Sequence, residues 1–465
     1  MRKRINRTKA ACDALRTVDL RGSIVEQEGG ILPHPAGEMP MLDRRSFMGS
    51  AAAASLAAPA AAQALASVPL PAPALHDSRP DAYWAALRKQ FLIPADVVNL
   101  NVGTVGSSPR PVLKAIFDGF ETTEQMTQAG SEDYPIWGYG SWDEYRKPFA
   151  GFMGAKVEQM AILRNCTEAN SYVANGFDMK PGDEVLISDE EHGSGEMPWM
   201  LRQRRYGVAV KKFAMPKPPK DAADILNRIN DAITPRTRII FVSHISTATG
   251  VILPAKEIAA LARSKGIISA FDGAHAPGMI KVDLNDIGCD LYTGSMHKWL
   301  FATKGTGFLY LRDRGVMDRV WNTIATGGYD DPARMADRYM QIGSSCIPTL
   351  MGLNAAVEFA KGIGMDRIEA RNRSLADYIH AEMMKRGAES WTSPDPALRG
   401  GIATVNVPPV QRMELQDWLW TNHKVRVRGG NPSKLRLATA YFLSKADIDR
   451  FLDLFDAFRR MKGIA

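Results

Sequence analysis

The feature that most constrains the fold is an alternation of two residue patterns from about Glu184 onward. Short apolar runs rich in β-branched residues stand between stretches such as 254–265, where apolar side chains recur every three or four positions, as in a helix. Buried strands that alternate with helices predict a mostly parallel sheet covered by helices on both faces, which is the α/β class. The predicted strands are 185–187, 208–210, 239–242, 267–271 and 307–311.

The pattern changes after about residue 332. Long helical stretches are predicted near 349–362 and 366–387, short strands near 401–407 and 425–428, and a last helix from about Ser444. We interpret this part as a second, smaller α+β domain. The predicted organisation is an export segment at 1–64, an N-terminal arm at 65–112, a large domain at 113–331 and a small domain at 332–465.

Composition excludes several classes of protein. The 465 residues are 45% apolar and 23% charged, which excludes a disordered chain and allows a large core. The net charge of +7 is spread thinly and forms no basic stripe with interleaved aromatics, so nucleic-acid binding is not expected. The cysteines at 12, 166, 289 and 346 have no metal-binding spacing, and buried free thiols are the expectation.

The N-terminus resembles an export signal. Arg44 and Arg45 precede an alanine-rich run that ends in a small-residue cleavage site at Ala62-Gln63-Ala64. This pattern is typical of the twin-arginine pathway and predicts a periplasmic protein cleaved near Ala64. The run is short and contains Pro59, so a membrane span is not expected. The alternatives are a disordered alanine-rich leader and, as a hypothesis on the start site, translation from Met39 or Met41.

A lysine is the first candidate catalytic residue. Lys298 follows a probable strand and the small residues Gly294 and Ser295, and Trp299 and Leu300 come directly after it. An ammonium group among apolar neighbours loses its proton more easily, which suits a lysine to Schiff-base formation with an aldehyde. The alternative is a solvated loop lysine.

A carboxylate followed by an imidazole ends another predicted strand. Asp272 and His275 lie in the stretch FDGAH, shortly before Lys298. The ring nitrogen of pyridoxal phosphate needs an acidic partner, because the protonated ring is the electron sink of that cofactor. An N-cap aspartate and a metal site are the alternatives for Asp272 and His275, although no HExxH motif accompanies them.

Two further segments fit the same cofactor. A strand is predicted to end at Leu163 and a helix to begin at Thr167, so the amides near Cys166 could hold a phosphate dianion. A capped helix without a ligand is the alternative there. His192 follows the strand 185–187 and could lie flat on an aromatic ring, whereas the acidic run 189–191 is expected in a solvated loop.

Taken together and in this chain order, these motifs resemble the class V aminotransferase family of pyridoxal-phosphate enzymes. The likeness extends from about Tyr83 to Phe458 and is nearest to the isopenicillin N epimerase-like members. It implies the aspartate aminotransferase fold, with a mostly parallel seven-stranded sheet in the large domain and a small C-terminal α+β domain.

The resemblance also implies residue roles. Lys298 would carry the cofactor as a Schiff base, Asp272 would pair with its ring nitrogen and His192 would stack on its ring. Thr247 and His275 would lie near the phenolic oxygen, Arg436 would bind the substrate α-carboxylate and Asn101 would line the substrate cavity. The phosphate would be held by Cys166, Thr167, Ser295 and His297, and by Ser344 of a second subunit, which implies a homodimer.

The sequence departs from the cysteine desulfurases of this family at one informative place. The loop at 429–434 reads GGNPSK and contains no cysteine, which argues against sulfur transfer through a persulfide. The expected function is an exported enzyme of the epimerase or aminotransferase type that acts on an amino acid or an amino-bearing metabolite. The alternatives are a modifying enzyme for a pyoverdine-type siderophore side chain, a C–S lyase and a binding protein without turnover.

Overall fold

The computed structural model describes residues 68–129, 142–325, 327–328, 330–429 and 433–464. The twin-arginine motif at Arg44 and Arg45 and the predicted cleavage site lie outside the described residues. Of the described cysteines, Cys166 and Cys289 are buried free thiols, as expected, whereas Cys346 is exposed. None of the helices in the described part of the chain is both long enough and apolar enough to cross a membrane.

Within the described residues a seven-stranded sheet forms the centre of the molecule, and its strand order is β2-β8-β7-β6-β5-β3-β4. The four neighbouring pairs from β7 to β4 are parallel, so the predicted mostly parallel α/β sheet is confirmed. The strands are β2 (Met160–Leu163), β3 (Glu184–Ser188), β4 (Ala209–Phe213), β5 (Thr237–Ser243), β6 (Ile268–Asp272), β7 (Leu291–Ser295) and β8 (Gly307–Leu311).

β8 runs antiparallel to both of its neighbours, β7 and β2. The connection from β7 to β8, residues 296–306, contains no helix. A parallel return needs a long crossover, usually a helix, so a short connection leaves an antiparallel strand.

Helices cover the sheet and form much of the C-terminal part of the chain. They are α1 (Pro73–Ser78), α2 (Pro80–Arg88), α3 (Arg110–Ala129), α4 (Asp143–Phe152), α5 (Cys166–Gly176), α6 (Gly193–Tyr206), α7 (Ala222–Ala232), α8 (Ala255–Ser264), α9 (Leu284–Ile287), α10 (Arg314–Met317), α11 (Ile347–Ile363), α12 (Met365–Lys385), α13 (Arg412–His423) and α14 (Lys445–Met461). The predicted helices at 254–265, 349–362 and 366–387 correspond to α8, α11 and α12. Ser444 caps α14 by accepting a hydrogen bond from the Asp447 amide.

Two smaller sheets are formed by C-terminal strands, in one case together with a strand from the start of the described chain. The four-stranded sheet has the order β12-β13-β10-β9, with β9 (Glu389–Ser390), β10 (Ile402–Asn406), β12 (Arg428–Gly429) and β13 (Lys434–Ala438). A two-stranded parallel sheet pairs β1 (Val98–Asn99) with β11 (Val425–Arg426).

The single strand predicted at 425–428 is therefore wrong. Val425 and Arg426 pair with β1, whereas Arg428 pairs with Arg436 of β13. One short segment thus joins two different sheets. Local hydrophobicity could not show this, because β1 lies near the start of the described chain and nothing in the run 425–428 marks the point where the partner strand changes.

The carboxyl ends of the central parallel strands place polar residues at one edge of the sheet. In the register of β5 and β6, Ser243 lies opposite Asp272, and Thr293 of β7 lies on the other side of Asp272. Large apolar side chains are fully buried below this edge, among them Phe241, Phe271 and Tyr292. Sites of chemistry are expected beyond such strand ends.

Candidate active site

A cavity of about 240 Å³ opens at this edge of the sheet. Nine of the residues predicted from the sequence line it, drawn from the segments that follow four strands and from the start of α5. They are Cys166, Thr167, His192, Thr247, Asp272, His275, Ser295, His297 and Lys298. The structure thus brings together residues that span more than a hundred positions in the chain.

Asp272 is buried and its carboxylate is fixed by hydrogen bonds. Its Oδ1 accepts from the Ala274 amide at 2.9 Å and lies 3.3 Å from the Sγ of Cys166. Its Oδ2 accepts from the Nδ2 of Asn170 at 2.9 Å. Donors on both oxygens hold the carboxylate in one orientation, in which it could pair with a protonated ring nitrogen.

Asn170 is a site residue that sequence reasoning missed. It lies on α5 one turn after Cys166, so both side chains share a helix face. The Oδ1 of Asn170 accepts from the Oγ1 of Thr293 at 2.6 Å, which orients its amide nitrogen toward Asp272. The four-residue spacing from Cys166 was the available signal, but only the packing of α5 on the sheet shows its partner.

Lys298 lies half-buried in the cavity, with its Nζ 3.5 Å from the Nε2 of His275. Burial lowers the pKa of the Lys298 amine, while the charge of Asp272 acts in the opposite direction and the charges of Arg436 and Arg428 lower it further. A lysine with a lowered pKa offers more of the neutral amine that attacks an aldehyde.

His275 has its tautomer fixed by Trp299. The indole Nε1 of Trp299 donates to the Nδ1 of His275 at 3.1 Å, and an indole nitrogen can only donate. The proton of the neutral ring therefore lies on Nε2, which is 3.3 Å from the Oγ1 of Thr247. Burial lowers the pKa of His275 well below its usual value, so the ring stays neutral. Trp299 thus positions His275. The sequence analysis did not predict this role, because it considered Trp299 only as an apolar neighbour of Lys298.

The N-terminus of α5 lines the cavity, as predicted, but its details differ from the prediction. The helix begins at Cys166, one residue earlier than predicted, and the side chain of Asn165 caps it by accepting from the Glu168 amide. The amide of Cys166 donates to the Oγ of Ser295 at 3.2 Å, so it already has a partner. Thr167 lines the cavity at this helix end, where an anion is favoured.

One buried donor or acceptor in the cavity lining has no protein partner. The Nδ1 of His297 is buried without a hydrogen bond. Buried polar atoms of this kind cost free energy unless a ligand satisfies them. A cofactor phosphate near α5, Ser295 and His297 would supply that partner, so the residues present fit pyridoxal phosphate.

His192 begins α6 as its N-cap. Its Nδ1 is 2.7 Å from the Oγ of Ser194 and accepts from the Ser194 amide at 3.2 Å, which orients the ring at the edge of the cavity. Burial lowers the pKa of His192, with the charge of Lys298 as the next cause, so a neutral ring is expected here too.

The acidic run before His192 is not the solvated loop that we expected. Glu190 is buried, and its Oε2 accepts from the hydroxyl groups of Ser246 and Thr249. Glu191 accepts hydrogen bonds from Ser188 and Ser243, and burial raises its pKa to about 7. Only Asp189 is exposed, because β3 ends in a tight turn that directs the next two side chains inward.

Arg436 lies in β13 and is buried, but its guanidinium reaches the same region. Its Nη1 donates to the Oγ1 of Thr247 at 2.8 Å, and its Nη2 donates to the Oδ1 of Asn101 and the Oγ1 of Thr104, both at 3.1 Å. The Nε has no partner. Burial lowers its pKa to about 10, so the group stays charged at neutral pH. A planar cation with an unused donor suits a carboxylate.

Three predicted site residues do not line this cavity: Asn101 and Arg436, which contact each other, and Ser344, which was predicted to reach the phosphate of a second subunit. Ser344 is exposed and precedes α11. Among the described residues, no group of three or more histidine, cysteine or acidic side chains could hold a metal ion.

The fold and cavity fit an α/β enzyme in which Lys298 and Asp272 would hold a phosphorylated aldehyde cofactor. A model of the family "Aminotransferase class-V" matches residues 104–446. The chain therefore belongs to the class V aminotransferase family, and it is a pyridoxal-phosphate-dependent enzyme.

The relatives and the solved structures that are similar to this chain are named for different activities. Isopenicillin N epimerase of Streptomyces clavuligerus is 31% identical over 81% of this chain and 98% of its own length. A probable cysteine desulfurase of Methanothermobacter thermautotrophicus is 28% identical over 74% of this chain and 86% of its own length. The structure of the cystine C–S lyase C-DES with cysteine persulfide superposes with a TM-score of 0.70 at 22% identity, covering 78% of this chain and 98% of that one. A variant of C-DES holds glycine covalently linked to the pyridoxal-phosphate cofactor.

Proposed function

We propose that this protein moves the proton at the α-carbon of an amino acid or an amino-bearing metabolite, as an enzyme of the epimerase or aminotransferase type. The observation that carries the proposal is a hydrogen-bonded path from the lysine to the arginine. Lys298 lies beside His275, His275 lies beside Thr247, and Thr247 accepts from Arg436. An amine and a carboxylate on the same carbon atom would meet Lys298 and Arg436 together.

Each of these residues has a role in the proposal. Pyridoxal phosphate, when bound, supplies an electron sink that makes the proton at the substrate α-carbon acidic. Asp272 holds the proton on the ring nitrogen that this sink requires. Lys298, with its lowered pKa, takes the α-proton from one face of the α-carbon, and inversion then requires a proton delivered to the opposite face. Arg436 binds the α-carboxylate and so orients the α-hydrogen toward Lys298.

Epimerisation is the favoured outcome because isopenicillin N epimerase is 31% identical over nearly its whole length. A persulfide route is not favoured. Cys166 is the cysteine in the cavity, and burial, with the charge of Asp272, raises its pKa well above its usual value, so it remains a thiol rather than a nucleophilic thiolate. A C–S lyase, which is the activity named for C-DES, needs no protein cysteine and is the competing outcome.

Exchange of the α-proton tests the proposal. Holoenzyme is incubated in heavy water with a panel of D- and L-amino acids, and loss of the α-proton signal is followed by NMR. We expect exchange with some members of the panel, with inversion at the α-carbon if the enzyme is an epimerase. Pyruvate or sulfide release would indicate elimination instead. A protein that binds amino acids but exchanges none would be a binding protein without turnover.

Two further parts of the proposal concern location and assembly. The Arg44-Arg45 motif supports export of the folded protein by the twin-arginine machinery to the periplasm, followed by cleavage near Ala64. The exposed position of Ser344, outside the cavity of its own chain, supports a homodimer in which this residue reaches the phosphate of the other subunit. N-terminal sequencing of the periplasmic protein and light scattering test the two statements.

The export motif also favours a second candidate substrate. A periplasmic enzyme that acts on an amino group could modify the acidic side chain of a pyoverdine-type siderophore. Incubation of the holoenzyme with such a precursor should change its mass, and an unchanged mass would exclude this substrate.

A further inference from the structure

A second cavity is linked to the candidate active site by hydrogen bonds of Arg436, which donates to Thr247 in the lining of the first cavity and to Asn101 in the lining of the second. It has a volume of about 310 Å³, and Asn101 is one of its lining residues. The Oδ1 of Asn101 also accepts a hydrogen bond from the Nη2 of Arg436. The cavity therefore begins next to the guanidinium that is proposed to bind the substrate α-carboxylate.

The lining of this cavity is strongly basic. Arg412, Arg426 and Arg428 contribute to it, and Asp417 is the acidic residue among its lining residues. Three arginines and one aspartate give the lining a formal net charge of +2. Several positive charges that line one cavity create a potential that attracts an anion.

Two of the arginines are held in place by the protein. The guanidinium of Arg426 lies 4.0 Å from the centre of the Trp420 ring, a cation–π contact that leaves its edge free to donate. Arg428 donates to the Oγ1 of Thr104 at 3.2 Å, and the same oxygen accepts from Arg436 at 3.1 Å. One threonine oxygen thus joins the arginine of the candidate active site to the basic cavity.

The charges of the two cavities also act on each other. Burial is the main cause of the lowered pKa of Arg412, and the charge of Arg428 lowers it further. Arg428 likewise contributes to the lowered pKa values of Arg436 and Lys298. A negative charge bound between Arg412 and Arg428 would relieve this repulsion.

We propose that the arginine-lined cavity is a subsite for a second anionic group of the substrate, so that the preferred substrates carry a carboxylate or similar acidic group on the side chain. This inference rests on the proposed function, because Arg436 is taken to hold the α-carboxylate. It narrows the substrate class from amino acids in general to amino-bearing compounds with at least two acidic groups.

The test separates binding from turnover. Binding of adipate and of hexanoate to the holoenzyme is measured by calorimetry, since neither compound has an amino group and only adipate has two carboxylates. We expect adipate to bind about 10-fold to 100-fold more tightly, the range for charge-assisted hydrogen bonds. Arg412→Gln and Arg426→Gln should each reduce this ratio to below about threefold. Arg228→Gln, which removes a charge from the exposed face of α7, should leave it unchanged.

Equal binding of the two compounds, or a preference that persists in both variants, would overturn the inference. α-Proton exchange is then compared for aspartate, glutamate, 2-aminoadipate and their neutral counterparts asparagine, glutamine and norleucine, in both configurations. Faster exchange of the acidic members supports the subsite. Tight adipate binding without exchange of any amino acid would leave the subsite standing and refute the proposed function, so the two failures are distinguishable.

Discussion

The two ends of the candidate active site are built in different ways. At the cofactor end, Asp272 is the last residue of β6 and Lys298 follows β7. These two consecutive strands pair directly with each other. At the carboxylate end, Arg436 meets Asn101, which is 335 positions away in the chain. The cofactor end is thus a product of one sheet edge, whereas the carboxylate end depends on how distant segments of the chain come together.

This difference indicates how the two ends can change. The carboxylate of Asp272 is hydrogen-bonded to the loop after β6 and to α5, so a substitution there disturbs several partners at once. Arg436 contacts Asn101, Thr104 and Thr247, which can be replaced without altering the strands that hold the cofactor. We therefore expect substitutions at the first end to affect cofactor and turnover, and substitutions at the second end to affect substrate affinity.

The largest expected effect is at Lys298. Lys298→Ala should abolish the borohydride-reducible yellow chromophore and α-proton exchange, because the amine both holds the cofactor and moves the proton. Absorption spectra with and without borohydride, together with NMR exchange, provide the measurement. Retention of both signals would refute the assignment of the cofactor end. Lys304→Ala, a lysine six residues further along the chain, is the matched control and should keep both signals.

Asp272→Asn should slow α-proton exchange by about 10²- to 10³-fold, the size typical of removing one preorganised electrostatic partner. Both oxygens of Asp272 face donors, so an amide nitrogen would lack an acceptor in either orientation and stability should fall as well. Asp290→Asn is the control, since Asp290 is a buried aspartate that accepts from Ser269 and lies outside the cavity lining. It should reduce the melting temperature without a comparable loss of exchange.

Arg436→Gln should weaken substrate binding while the cofactor chromophore persists. Loss of one partner of a buried charged pair costs about 2–5 kcal/mol, which is at least about 30-fold in affinity. Arg436→Lys keeps a charge but loses the planar fork, so an intermediate loss is expected. Substrate titration of the chromophore measures both variants. A variant that loses the cofactor instead would show that the two ends are not separable.

Stability at acid pH provides a smaller effect at the cofactor end. His244 is buried against the hydroxyl group of Tyr292, and burial lowers its pKa to about 4. The unfolded chain therefore takes up the proton first, and the free energy of unfolding should fall by at most about 3 kcal/mol as the pH falls from about 6.5 to about 4. The difference between wild type and His244→Gln, measured by chemical denaturation across this range, isolates the effect.

Glu191 should act in the opposite direction in the same range. Its pKa is raised to about 7, so the folded state takes up the proton first and gains stability as the pH falls from about 7 toward 4.5. Glu191→Gln should therefore steepen the loss of stability at acid pH. An unchanged pH dependence in both His244→Gln and Glu191→Gln would show that these buried groups keep their ordinary pKa values.

Much of the cofactor end could be predicted from the sequence because its elements obey local rules. Apolar runs of three to five residues predicted the strands, and the polar residues at or shortly after their ends, Asp272 and Lys298, lie where parallel strands end. The partners that fix those residues could not be predicted in the same way. Asn170 and Trp299 act through side chains whose contacts depend on the packing of α5 and of the loop after β7.

The sequence by itself determined the α/β class, the family and nine of the residues that line the cavity, because strand periodicity and the residues at strand ends are local properties of the chain. Only the tertiary structure decided that the segment 425–428 divides between two sheets and that the side chains of Glu190 and Glu191 turn inward. It also decided that Arg428 and Arg436 donate to the same hydroxyl oxygen of Thr104. Those features depend on contacts between segments that are not neighbours in the chain, and a local pattern carries no information on which other segment becomes the partner.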